Sequence, residues 1–235
     1  MISLANLLKK LLNGESQLEE KKSVIFGQGQ IENQRVHILG VEESTFLGVE
    51  QAFIMAEKVI EILDTQSKAP VLLLVDVAGQ ELTMRDEWLG MQQYFAHLLE
   101  GLECLRKQGN PLISLVYNQA VGGGFIAYGL MADLILALPH AELAVMWLEG
   151  IAKVTKIELS RLQELSKTLP VFAPGVDNFY KLGGLHEIVP LSELAKKIVT
   201  DLASLEREDK RAFLGQERGG RKLAFPIIAK VSSYL

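Results

Sequence analysis

An apolar, β-like run from Leu112 to Val121 breaks into Gly122, Gly123 and Gly124, then resumes as the helix-like sequence Phe125, Ile126, Ala127 and Tyr128. Few folds accommodate such a junction. A glycine costs a helix about 1 kcal/mol relative to alanine, so three at a helix start answer some demand other than helix formation. Two demands fit. Glycine lets a ligand oxygen reach backbone N–H groups that the first helical turn leaves unpaired, or it lets the helix press tightly against a strand. A second junction of the same kind lies upstream. After Pro70, the buried-strand run Val71 to Asp76 empties into Val77, Ala78, Gly79 and Gln80. Two strand ends that each deliver glycine backbone suit stabilisation of an oxyanion from both sides. The N–H groups of Gly79, Gln80, Gly123 and Gly124 are the candidate donors, with Ala78, Val121, Gly122 and Phe125 as candidate substrate-binding positions.

Around these junctions strands and helices alternate. Ala52, Phe53, Ala56, Val59, Ile60 and Leu63 recur at helical spacing. So do Trp88, Met91, Phe95, Leu98, Leu102 and Leu105, in a longer helix that Gln108 to Pro111 stops. Leu134 to Leu138 is a further strand. Strand, long helix, strand, glycine turn, helix, strand implies an α/β fold with parallel neighbours. Near the start, Ile2 to Leu12 forms an amphipathic helix, and two strands, Ser23 to Phe26 and Arg35 to Leu39, are expected around a loop at Gly27 to Gln30. From about residue 150 the pattern turns helical, over Ile157 to Leu169, Val176 to Leu182, Ser192 to Leu205 and Leu223 to Tyr234. The charged stretch Arg207 to Arg221, interrupted by Gly215, Gly219 and Gly220, is expected to be an exposed arm or hinge. No repeat or linker divides the chain, so residues 1–235 are expected to form one domain.

Composition narrows the function. Hydrophobic residues make up 49% of the 235 positions and charged ones 23%, which excludes a disordered chain. The formal net charge of −5 offers no general attraction to nucleic acid. Cys104 is the only cysteine, so an intrachain disulfide and a cysteine zinc cluster are excluded, and a buried packing role is expected for it. His37, His97, His140 and His186 show no paired-ligand spacing, so no metal is expected. No leader pattern opens the chain and no apolar run approaches ~20 residues; a cytoplasmic location without a membrane partner is expected.

Gly27 to Gly29 lacks the third glycine and the helix of a dinucleotide fingerprint. The glycine turn carries no serine or cysteine to act as a nucleophile. Asp86 and Glu87 are expected to complement the dipole of the long helix, while Arg85 is an anion-binding candidate. Trp147 either lines a cleft or packs in the core. Two modest basic groups, Lys153 with Lys156 and Arg161, and Arg218 with Arg221 and Lys222, read as solvated faces.

These residues resemble the crotonase/ClpP superfamily and, within it, the carboxyltransferase domains of acyl-CoA carboxylases. Leu74 to Gly79 looks like the strand and oxyanion loop of the carboxyltransferase alpha type. Val121 to Ala127, closed by Ala132 and Asp133, looks like its second glycine turn and helix. Closer still is the resemblance to the gamma-subunit family of biotin-independent malonate decarboxylases. It is carried by Gly79 with Gln80, Arg85 to Gly90, Ala120 to Phe125, Val154 to Ile157 and Pro170 to Val176, with Phe172 to Val176 the most specific string. The family pattern usually has a serine where this chain has Gly122 and an acidic residue where it has Gln119; backbone donors survive both differences.

The resemblance implies a crotonase-type spiral of ββα units. It implies decarboxylation of a malonyl thioester to an acetyl thioester and CO2, with backbone donors holding the enolate charge on the thioester oxygen. No directly bound cofactor is implied, because the thioester sits on the coenzyme-A-like prosthetic group of an acyl carrier protein. The implied partners are that carrier protein and a homologous beta subunit, with the active site between the two subunits. Two alternatives come from other classes: an acyl-CoA hydratase or isomerase with Glu142 or Glu149 as its carboxylate, and a non-catalytic scaffold subunit with purely architectural glycines. A ClpP-type serine peptidase fails because its nucleophile would fall at Gly122. The apolar stripe Ile198, Leu202 and Leu205 suits either an interface or the core.

Overall fold

The computed structural model describes residues 1–14, 16–169 and 173–233. In chain order, α1 (Leu4–Leu11) precedes three strands, β1 (Gln17–Lys21), β2 (Val24–Ile31) and β3 (Gln34–Val41). The short β4 (Thr45–Leu47) and α2 (Val49–Asp64) lead to β5 (Val71–Gln80). α3 (Met84–Trp88) and α4 (Met91–Gln108) cross to β6 (Leu112–Val121), followed by α5 (Gly122–Tyr128), β7 (Leu134–Ala137) and β8 (Glu142–Ala144). Beyond these lie α6 (Leu148–Thr155), α7 (Leu159–Ser166), α8 (Val176–Lys181), β9 (Glu187–Ile188), α9 (Leu194–Ala203), α10 (Arg211–Glu217) and α11 (Ala224–Ser232).

Among the described residues the main path of the sheet runs β1-β2-β3-β5-β6-β7-β9, with β4 against β5 and β8 against β6. The first three strands are antiparallel, and every pairing from β3 onward is parallel. Successive side chains of a strand point to opposite faces, and β5 and β6 are covered on both. Leu73, Val75 and Val77 share one core with Met55 and Val59 of α2 and Leu98 and Leu102 of α4. Leu72, Leu74, Ile113 and Leu115 share the other with Leu7 and Leu11 of α1 and Leu194 and Ile198 of α9. That double cover is why both strands read as near-continuous apolar runs rather than as alternating ones.

Several expectations are corrected. Gly27 to Gln30 is not a loop: β2 continues through it to Ile31, and the polar β1, which carries no apolar alternation, pairs alongside with Leu18 opposite Gly27. Gly27 has φ +147°, and a Cβ there would run into the Gln17 carbonyl, so the glycine serves a close strand pairing. Arg207 to Arg221 is not a free arm. Arg211 donates to the Leu130 carbonyl at 2.8 Å, and Arg218 donates to the carbonyls of Tyr180, Leu185 and His186 while stacking 3.7 Å over the Tyr180 ring. Cys104 is exposed rather than buried, on the outer side of α4. Trp88 belongs to α3, not to the long helix, and is 81% exposed. Ile198 is buried with Leu202 and Leu205 packed around its cluster, so that stripe serves the core. The helix expected over Leu223 to Tyr234 is α11; Tyr234 and Pro170 to Phe172, whose last residue opens the most specific string, lie outside the described residues.

Candidate active site

Midway along β5 and β6 the sheet divides. β3 accompanies β5 only as far as Leu74, and β4 takes over from Val77. Likewise β7 accompanies β6 over Ile113 to Val116, and β8 takes over from Gln119. The β5–β6 register shifts between Val75 and Val77. Asp76 fills the gap so created. Its buried carboxylate accepts from the Gln119 N–H at 3.1 Å, the Ser44 hydroxyl at 3.0 Å and Asn118 Nδ2 at 3.1 Å, the partners a buried charge requires. Asn118 also exchanges two hydrogen bonds with the Ile2 backbone. The ends of β5 and β6, paired with β4 and β8, therefore form a short site layer within the same sheet, and it carries both glycine junctions.

The two junctions touch. Gly123 N–H donates to Gln80 Oε1 at 2.9 Å. Gly122 has φ +58°, and a Cβ on it would lie 3.0 Å from that same oxygen and 3.5 Å from the Val145 carbonyl oxygen. A Cβ on Gly123 would lie 3.1 Å from Gln80 Oε1. Gly124 is different: its Cβ would lie 2.6 Å from the Gly79 carbonyl oxygen and 2.6 Å from Val77 Cγ1. Both demands weighed from the sequence are thus present, on different glycines. Gly124 permits tight packing of α5 on β5, while Gly122 and Gly123 let an oxygen approach the backbone. That oxygen belongs to the chain itself, on the side chain of Gln80.

The other candidate residues fall in distinct places. Ala78 is half-buried on β5 beside Gly79, and Val121 is buried at the end of β6. Phe125 is only 1% exposed and lies in the core, its ring 6.3 Å from that of Phe179. Trp147 stands at the start of α6 beside the exposed Val145 and Met146, outside the core. Arg85 is charge-paired with Glu50 at 3.2 Å and with Asp86 at 3.3 Å. Asp86 is buried and accepts from Val49 N–H at 2.9 Å, so it caps α2 instead of serving the long helix. Glu142 is exposed and accepts from Gln119 Nε2 at 3.4 Å. Beneath the site, Tyr128 donates to the Leu74 carbonyl at 2.9 Å and Tyr117 to that of Val41 at 3.3 Å. Burial pushes both phenols far above their ordinary range, which leaves them neutral hydrogen-bond donors.

Reasoning from the sequence overlooked the Gln80 side chain, the Asp76 knot and Phe46, whose ring lies 3.6 Å from where a Gly79 Cβ would be. An amide directly after a strand-end glycine was the one available signal. Exposed apolar side chains flank the junctions: Phe46 on β4, Leu82, Met84, Trp88 and Leu89 after β5, and Val145, Met146 and Trp147 after β8. No group of three His, Cys, Asp or Glu suited to a metal ion occurs among the described residues.

One chain of a Pseudomonas malonate decarboxylase hetero-tetramer in complex with coenzyme A matches 97% of this chain and 95% of its own length, with a TM-score of 0.80 at 22% identity. Transcarboxylase 12S matches 86% of this chain and 41% of its own, with a TM-score of 0.72 at 21% identity. The fold is that of the crotonase-like carboxyltransferases. The family model for the malonate decarboxylase gamma subunit matches residues 42–234, and the chain belongs to that family. The malonyl-S-ACP:biotin-protein carboxyltransferase MADD of Malonomonas rubra is 31% identical over 92% of this chain and 86% of its own length. The acetyl-coenzyme A carboxylase carboxyl transferase subunit alpha of Methylobacterium sp. (strain 4-46) is 28% identical over 76% of this chain, which spans 57% of that protein.

Proposed function

We propose that this chain, as one domain, works with a homologous beta subunit to decarboxylate a malonyl thioester carried on the prosthetic arm of an acyl carrier protein. The observation that carries the reading is the Gly123 N–H, which meets a carbonyl-type oxygen at 2.9 Å beside the Gly79–Gln80 strand end. In the reaction the bond to the departing carboxylate breaks and its electron pair moves into the thioester, leaving negative charge on the thioester oxygen. CO2 departs, and the α-carbon then takes a proton to give the acetyl thioester. Gly123 and Gly124 supply N–H donors from one side and Gly79 and Gln80 from the other. A preorganised donor of this kind is typically worth about 3–4 kcal/mol of barrier.

The proton is assigned to the partner subunit or to water. Tyr117 and Tyr128 are engaged with carbonyls, and no acid stands at the turn. The chain alone is accordingly inactive, and the complex acts as a carbon–carbon lyase. The names of its relatives accord with this reading: one solved neighbour is described as a Pseudomonas malonate decarboxylase MdcD-MdcE hetero-dimer, and MADD is named for malonyl-S-ACP. The exposed apolar side chains flanking the two junctions suit subunit contact. A cytoplasmic location goes with it; no described helix is long and apolar enough to cross a membrane.

A second reading is favoured by the 31% identity to MADD, which is named as transferring to a biotin protein: the carboxyl group would pass to biotin instead of leaving as CO2. Co-expression with the beta-like subunit and the carrier protein, omitting each in turn, tests both. CO2 release from malonyl thioester by the full set without a biotinyl acceptor supports decarboxylation. Strict dependence on that acceptor favours transfer, and full activity of the single chain refutes the joint-site reading.

A further inference from the structure

We propose that the Gln80 side chain is an internal stand-in for the thioester carbonyl: it occupies the Gly123 donor while the site is empty and gives it up when substrate enters. The inference rests on the oxyanion reading above and adds to it a residue that sets access. An amide carbonyl and a thioester carbonyl present the same kind of oxygen acceptor to an N–H donor. Gln80 Oε1 lies 2.9 Å from Gly123 N. The same oxygen would lie 3.0 Å from a Cβ on Gly122 and 3.1 Å from one on Gly123. The space left by two missing side chains is therefore already filled by a carbonyl oxygen, and a substrate oxygen needs that space.

The occupant is well suited to leave. Gln80 is the last residue of β5 and only half-buried. Among the described residues, its side chain is held by the Gly123 bond alone. Its neighbours across the gap are backbone atoms that do not have to move when it swings out. While present, it keeps the half-buried Gly123 N–H paired. The thioester thus exchanges one neutral hydrogen bond for another and gains only when enolate charge develops on its oxygen. Gln80 is a positioning residue that tunes substrate affinity, separate from any contribution of its backbone N–H.

The test uses the chain assembled with its beta-like subunit and carrier protein. Gln80→Ala removes the competitor and is expected to lower KM for the malonyl thioester about fivefold, the worth of one neutral hydrogen bond. Gln80→Glu supplies a stronger acceptor and is expected to raise KM. A residue serving only to brace the turn would instead lower kcat in both variants with KM unmoved, and that outcome overturns the proposal. So does a raised or unchanged KM in Gln80→Ala.

A binding arm uses the neutral thioester S-acetyl-pantetheine, which removes charge repulsion from the Gln80→Glu comparison. Nuclear magnetic resonance of the isotope-labelled chain within the complex is expected to show the Gly123 amide and the Gln80 side-chain amide shifting together on titration. Movement of Gly123 without Gln80 overturns the stand-in and leaves the oxyanion reading intact. If neither moves in any variant while malonyl turnover proceeds, the oxyanion reading falls and the stand-in with it.

Discussion

Gly27 and Gly123 both lie where another atom comes hard against the backbone, yet they differ in what approaches. At Gly27 the approaching atom is the Gln17 carbonyl, fixed by the β1–β2 ladder, and the backbone is held at φ +147°. At Gly123 it is the far end of a glutamine side chain. A ladder carbonyl cannot retreat without unpairing a strand, whereas a side-chain end can rotate away. The first glycine is architecture. The second leaves a space that can be vacated and refilled.

The largest expected effect separates the two directly. In the assembled complex, Gly123→Val is expected to lower the decarboxylation rate by about 10²–10³-fold, the usual consequence of losing an oxyanion donor. Because the atoms nearest its new Cβ are the movable end of Gln80, the melting temperature should stay close to that of the parent. An equal collapse of stability would erase the distinction between the two glycines. Gly27→Val should do the reverse. It combines a backbone conformation unsuited to a side chain with a clash against a carbonyl, and is expected to cost about 3 kcal/mol in chemical denaturation. Activity per folded molecule should be retained; lost turnover with normal stability would contradict the assignment.

Asp76→Ala probes the seam between the strands that end in the site and those that do not. It strands the Gln119 N–H and leaves Asn118 Nδ2 with its bond to the Ile2 carbonyl alone, and is expected to destabilise the chain by about 2 kcal/mol. It should also loosen the site layer, seen as faster amide exchange at Gln119 to Gly123. Unaltered exchange there would mean that the layer is held by β4 and β8 alone.

The same contrast explains what the sequence disclosed. β5 and β6 were legible because burial on both faces leaves a near-continuous apolar run, and the glycine junctions were legible because their chemistry is local. β1 was invisible: Gln17 to Lys21 is polar and largely exposed, and only pairing with β2 makes it a strand. Gly27 to Gln30 read as a loop because the reason for its glycine is the carbonyl of Gln17, a tertiary neighbour. The charged stretch after Arg207 read as an arm because Arg211 and Arg218 find their partners in carbonyls of distant segments. At the site, backbone donors could be nominated from Gly79 to Gly124, but the Gln80–Gly123 contact spans 43 positions and leaves no periodic trace. Family resemblance supplied the substrate class and partners, which no residue pattern here encodes by itself.

The smallest expected effect is a pH dependence confined to one of the two regions. His37 sits on β3 opposite Gln28 of β2, one pair along from Gly27, in a cavity also lined by Phe26, Lys58 and Glu61. Burial holds its imidazole below the ordinary value of 6.5, because the charged form is the one desolvation penalises. The folded chain therefore keeps His37 neutral while the unfolded chain takes up the proton first. By linkage, this contribution to stability is complete above pH 6.5 and declines as pH falls below it, until the folded imidazole also protonates. The Gln80–Gly123 contact contains no group that titrates in this range. Between pH 7.5 and pH 5, amide protection corrected for the base-catalysed intrinsic rate should fall more in β2 and β3 than at Gly123, and His37→Gln should flatten the difference. His186 is lowered by burial in the same direction, so a global melt mixes both histidines and only residue-resolved exchange separates them. A parallel fall in protection at Gly27 and Gly123 would show that the two glycine regions open as one unit.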